Sequence, residues 1–127
     1  MANDLRPARY FAAVSGLAAA GLGVPLFLDP YRWSRTFGWP SEPETDIGLY
    51  FGRCLGSIAL ATARYAARAT CDPERHRSYY LFAETAGWLL AAVHVRGLLE
   101  RKQPPIEHAE IAAWVTMAIG ARRWAPD

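Results

Sequence analysis

The chain has 127 residues, 52% of them in the AVILMFWYC set and 20% charged, with a formal net charge of +2 and a mean hydropathy of -0.02. This composition excludes disorder, which needs few apolar residues or a large net charge, and +2 is too weak a charge to mark a nucleic-acid binder. Two cysteines and ten glycines without a triplet period exclude a disulfide scaffold and a collagen-like chain, and the length fits a single domain over 1–127.

The 26 charged residues cluster, and four lightly charged stretches alternate with charged ends and loops. In chain order, Tyr10 to Leu28 carries no charge in nineteen residues and alone meets the length rule for a membrane-spanning helix. Pro7 near its start and Asp29-Pro30 after it predict a helix over 6–28, with Ala12, Gly16 and Ala20 repeating every fourth position. A short helix over 30–37, closed by Gly38, mixes Tyr31, Trp33 and Phe37 with Arg32 and Arg35 as an interfacial helix does. The next helix, over 43–69, has Arg53 as its one charge between Ile47 and Ala63. Its Gly48, Gly52 and Gly56 form a ridge that lets a second backbone approach, a surface suited to a homo-oligomer or a membrane partner. A helix over 73–100 starts after Asp72 and carries only Glu84 between Ser78 and Val95; a last one, over 105–123, starts at the Pro104-Pro105 pair. No strand is needed. The prediction is an all-α, four-helix transmembrane bundle with a short interfacial helix after its first helix.

Aromatic and basic residues sort by level. Tyr10, Tyr65, Tyr79, Tyr80 and Trp124 fall at one end of the predicted bundle, and Tyr31, Trp33, Trp39 and Tyr50 at the other, as interfacial belts would. Arg6, Arg9, Arg64, Arg68, Arg75, Arg77, Arg122 and Arg123 outnumber the basic residues of the opposite loops, so the positive-inside rule puts both termini in the cytoplasm. The first helix has a basic start but runs into Asp29-Pro30 without a small-x-small cleavage site, so no cleavable signal peptide is expected.

The pattern Asp29-Pro30-x-x-Trp33-x-x-x-Phe37-Gly38-Trp39-Pro40, followed by Leu49-Tyr50-Phe51-Gly52-Arg53-Cys54-Leu55-Gly56, resembles small four-helix bacterial membrane proteins of the broad DoxX-like kind. The likeness covers mainly residues 10–60. It implies an integral bundle in the bacterial inner membrane and no settled activity.

A charge inside a span costs about 2.5–3.5 kcal/mol even on a lenient insertion scale, so Arg53 and Glu84 are expected to face the interior and to pair. Two functions follow from such a patch. In one, Arg53 holds an anionic or carbonyl group of a lipophilic molecule or a membrane partner, with Tyr50, Ser57 and Trp88 lining the site. In the other, the patch is a membrane-embedded isomerase, cyclase or quinone-linked oxidoreductase, with Glu84 as acid or base and Arg53 or His94 as electrophile. A third reading is a soluble four-helix bundle in which Arg53 and Glu84 form a core pair.

Glu84 and His94 are ten residues apart, about 15 Å along one helix, and cannot form a dyad. His94, Glu107, His108 and Glu110 gather near the last loop, but no metal-binding spacing repeats on one helical face, and the two acids suit the first turn of a helix equally well. No metal or cofactor is expected. Cys54 and Cys71, about 25 Å apart on one helix, cannot form a disulfide with each other.

Overall fold

Residues 4–40 and 43–127 are described by a computed structural model, and they contain helices and turns without a strand. The elements are α1 (Arg6–Leu28), α2 (Pro30–Thr36), α3 (Asp46–Cys71), α4 (Arg77–Leu99), a 3₁₀ turn (Pro105–Glu107) and α5 (His108–Trp124). Side-chain caps set several of the boundaries. Asp29 accepts the Arg32 amide at the start of α2, and Thr45 accepts the Gly48 amide at the start of α3. Tyr31 of α2 fixes that second start, because its hydroxyl accepts the Thr45 amide at 2.7 Å and donates to the Thr45 carbonyl at 2.8 Å.

The predicted helix over 73–100 begins later, at Arg77. Asp72 accepts the Arg75 amide and closes a turn over 73–76, so the same Asp-Pro pair that can launch a helix here launches a corner first.

The helices pair as two hairpins. α1 lies along α3, α4 lies along α5, and contact between the hairpins is thin by comparison. Small residues make the pairing close. A β-carbon at Gly16 would lie 2.8 Å from Ala66 Cβ, and one at Gly56 would lie 2.5 Å from the Phe27 amide nitrogen and 2.8 Å from its Cα. On the other hairpin a β-carbon at Gly87 would lie 2.9 Å from the Trp114 carbonyl oxygen.

The ridge expected to serve a homo-oligomer or membrane partner is therefore filled from within: Gly48 faces the Tyr31 hydroxyl, Gly52 faces Pro30, and Gly56 faces the backbone of Phe27.

Packing on glycine and alanine has a second consequence. Among the described residues nine of the thirteen buried apolar residues are alanine, joined only by Phe11, Leu26, Tyr79 and Tyr80. Twenty-two large apolar side chains are left exposed, including Leu17 on α1, Phe51 and Ile58 on α3, and Leu89 and Val93 on α4. The large side chains that a soluble protein would bury are on the outside.

The hairpins are fastened at their ends. At one end Tyr79 and Ser15 share a 2.7 Å hydrogen bond between α4 and α1, Tyr80 donates to the Ala8 carbonyl at 3.0 Å, and the rings of Tyr65, Tyr79, Tyr80, Phe11 and Trp124 form a continuous series of contacts. At the other end Trp39, after α2, reaches Glu107 at the start of α5.

Gly56→Val is expected to destabilise the fold by at least about 2 kcal/mol, since its side chain would press on backbone that cannot yield. Gly21→Ala meets nothing within 4 Å and is expected to stabilise by up to about 1 kcal/mol through helix propensity. Thermal unfolding followed by circular dichroism compares the two.

Candidate functional site

The Arg53–Glu84 pair does not form. Gly52, Gly56 and Ala59 turn toward α1 and Pro30, which leaves Arg53 exposed, and no ion pair reaches it among the described residues. Tyr50, Ser57 and Trp88, expected to line the same patch, are likewise exposed on the outer faces of α3 and α4. α3 and α4 are not close neighbours along their length. Glu84 instead faces α5, where Arg122 Nη1 donates to Glu84 Oε1 at 3.3 Å. An open cleft of about 500 Å³ lies there, bounded by Arg77, Ser78, Leu81, Glu84 and Arg122.

A second polar centre occupies the opposite end of the α4–α5 hairpin. His94 is in the second-last turn of α4 and Glu110 in the first turn of α5, while Glu107 ends the 3₁₀ turn between them. The reversal that joins them is tight. Arg101 takes a left-handed conformation at φ 54°, the Arg101 and Lys102 amides donate to the Leu98 and Gly97 carbonyls, and the Gln103 side chain lies over Gly97. Pro104 is buried in extended backbone, and Pro105 opens the 3₁₀ turn that swings Glu107 inward.

His94 Nε2 is then 3.3 Å from Glu107 Oε2 and 3.0 Å from Glu110 Oε2. His94 is 8% exposed and Glu107 4%, so a histidine and at least one carboxylate have been taken out of water together. Such burial is costly unless every group is bonded. Here the partners are present. Trp39 Nε1 donates to Glu107 Oε1 at 2.9 Å, Trp114 Nε1 donates to Glu110 Oε2 at 3.1 Å, and His94 Nδ1 is 2.9 Å from the Leu90 carbonyl. Both acids also sit at the N-terminal end of α5, where the helix dipole favours negative charge.

Nearby cations are engaged elsewhere. Arg96 and Lys102 both hold Glu100, at 2.7 and 3.1 Å, and keep its carboxyl below the ordinary carboxylate range. Among the described residues only His94 lies within ion-pair distance of Glu107 and Glu110. Gln103 Oε1, whose side chain lies over Gly97, is buried without a donor among the described residues. His108 is not brought into the centre.

The three convergent residues were visible as residue types near one loop, but no single-helix spacing joins them. Their geometry depends on the chain reversal over 100–104 and on Trp39, 68 residues before Glu107. The one local signal was Pro104-Pro105 placed before a Glu-x-x-Glu pair.

Trp39→Phe is expected to cost about 1–3 kcal/mol, because it leaves a buried Glu107 oxygen without its donor. Trp114→Phe is expected to cost less, since the Glu110 side chain is 32% exposed and water can take the indole's place. Equilibrium unfolding of the two variants checks the order. No protein-family model, no curated protein and no solved structure matches the chain.

Proposed function

We propose that the chain is a small integral membrane protein that recognises a lipophilic molecule with a polar head through the α4–α5 hairpin. The observation that carries this reading is the inverted distribution of side chains, with alanine and glycine inside and leucine, isoleucine, valine and phenylalanine outside. Lipid is the solvent in which that surface is stable, and close small-residue packing is how helices associate there.

α1 is the one helix among the described residues long and apolar enough to cross a membrane on length and composition, and only 22% of its span is buried within the molecule. A soluble core helix of that hydropathy would be mostly enclosed. α3, α4 and α5 complete the bundle with Arg53 about 10 Å from the start of its helix, within reach of the interface by snorkelling. In this reading the bundle lies in the bacterial inner membrane with both termini cytoplasmic, as the DoxX-like resemblance and the placement of the arginines imply.

The ligand reading moves from Arg53 to the cleft beside Glu84 and Arg122. The cleft is open to the surroundings, and Arg77, Ser78, Glu84 and Arg122 supply polar groups beside Leu81. Two arginines against one carboxylate favour an anionic or carbonyl head.

Alkaline carbonate extraction of expressing cells should leave the protein in the membrane pellet, and its release into the aqueous phase would overturn the proposal. Mass spectrometry of co-purifying lipophilic molecules should show one depleted about tenfold or more in Arg122→Gln, the loss expected for one charge-assisted hydrogen bond. Arg53→Gln should leave that molecule's level unchanged.

A further inference from the structure

We infer that His94, Glu107 and Glu110 bind a divalent transition-metal ion of the zinc type, with Trp39 and Trp114 as positioning residues. The inference depends on neither the membrane assignment nor the Glu84–Arg122 cleft.

Hydrogen-bond chemistry at the ring makes the case. The Leu90 carbonyl can only accept, so the proton on His94 belongs at Nδ1. A neutral ring then presents the Nε2 lone pair to two carboxylate oxygens, at 3.3 and 3.0 Å. Something positive must lie between them. A shared proton, on the ring or on a carboxyl, is one solution and a metal ion is the other.

Several features favour the ion. Metal-ligating histidines typically donate their other ring nitrogen to a carbonyl or carboxylate, as His94 does to Leu90. One ligand atom from each of the three residues falls within 4.8 Å of the others. Bonds of about 2.0–2.2 Å put neighbouring ligand atoms about 3.0 Å apart in octahedral geometry and about 3.3–3.5 Å apart in tetrahedral geometry, the range seen here.

The carboxylates are themselves held. Trp39 fixes the Glu107 oxygen that does not face His94, so Oε2 is aimed at the ring by a donor on the other side of the carboxylate. Trp114 bonds Glu110 Oε2 from within α5 and restrains the second acid. One imidazole and two carboxylates, without thiolate, suit Zn²⁺, Fe²⁺, Mn²⁺ or Co²⁺ better than a soft ion. Three protein donors also leave a coordination position for water or a ligand.

The test is calorimetric titration of Zn²⁺ into the full chain, purified in detergent and stripped with chelator, with Co²⁺ absorption as a spectroscopic report of ligand type. One ion per chain is expected at about 10 μM or tighter. His94→Gln and Glu107→Gln should each weaken binding about 100-fold or more, and Trp39→Phe about 10–100-fold. Glu110→Gln, at a partly exposed position, should weaken binding while preserving the helical circular dichroism, and so keeps the test open if a buried variant fails to fold. A Cys54→Ser/Cys71→Ser variant should bind as the parent does. No uptake of Zn²⁺, Co²⁺ or Mn²⁺ by a folded chain at about 1 mM would leave a shared proton as the bridge and overturn the inference. Unchanged affinity in the folded Glu110→Gln variant, or binding lost with the two cysteines, would overturn it equally.

Discussion

Between Gly56 and the backbone of Phe27 there is no space for one methyl group, and the rest of the molecule is arranged around contacts of that kind. Close approach at Gly16, Gly23, Gly56 and Gly87 uses up the faces on which large side chains would otherwise interlock. Leucine, isoleucine and phenylalanine must then point outward, and only a few aromatic rings remain in the interior. Dispersion along a narrow, closely packed seam contributes much of the attraction that holds each hairpin.

That economy of volume places the polar contacts at the extremities. Serine, tyrosine and a carbonyl close the gap between α1 and α4 at one end, and the Trp39 indole on Glu107 closes the other. The second contact does more than fasten. A buried carboxylate beside a buried imidazole would be prohibitive in isolation, but Trp39 donates to one of its oxygens, His94 lies against the other, and the dipole of α5 acts in the same sense. The same group therefore joins two hairpins and defines the orientation of the most buried acid among the described residues.

Much of the helical framework was legible in the sequence because its boundaries are written in residues with strong local preferences. Asp29-Pro30 and Pro104-Pro105 each mark a start within about three residues of where it occurs, whereas the Thr45 cap of α3 was not read. Asp72-Pro73 misled only because an aspartate-capped corner and a helix start look alike locally. Pairing was harder to read. The expectation that Arg53 meets Glu84 assumed that successive long helices are the closest neighbours, whereas the glycine ridge commits α3 to α1 and frees Arg53. Helical spacing also argued against a shared site at His94, Glu107 and Glu110, since spacing governs one helix and these residues meet across a reversal. Trp39 could not be foreseen as part of that site. Its role depends on how α2 carries the following loop across to another hairpin.

The division into α1–α3 and α4–α5 also bears on how the chain is assembled. Each hairpin is contiguous in sequence and makes most of its contacts within itself, so the first can be complete while the second is still being synthesised. Among the bonds that cross between them, Ser15 to Tyr79, Ala8 to Tyr80 and Trp39 to Glu107 span 64, 72 and 68 residues; the first two wait for the start of α4 and the third for the turn before α5. A chain halted before residue 107 would therefore hold a complete first hairpin and lack both the Trp39–Glu107 contact and the cluster around His94.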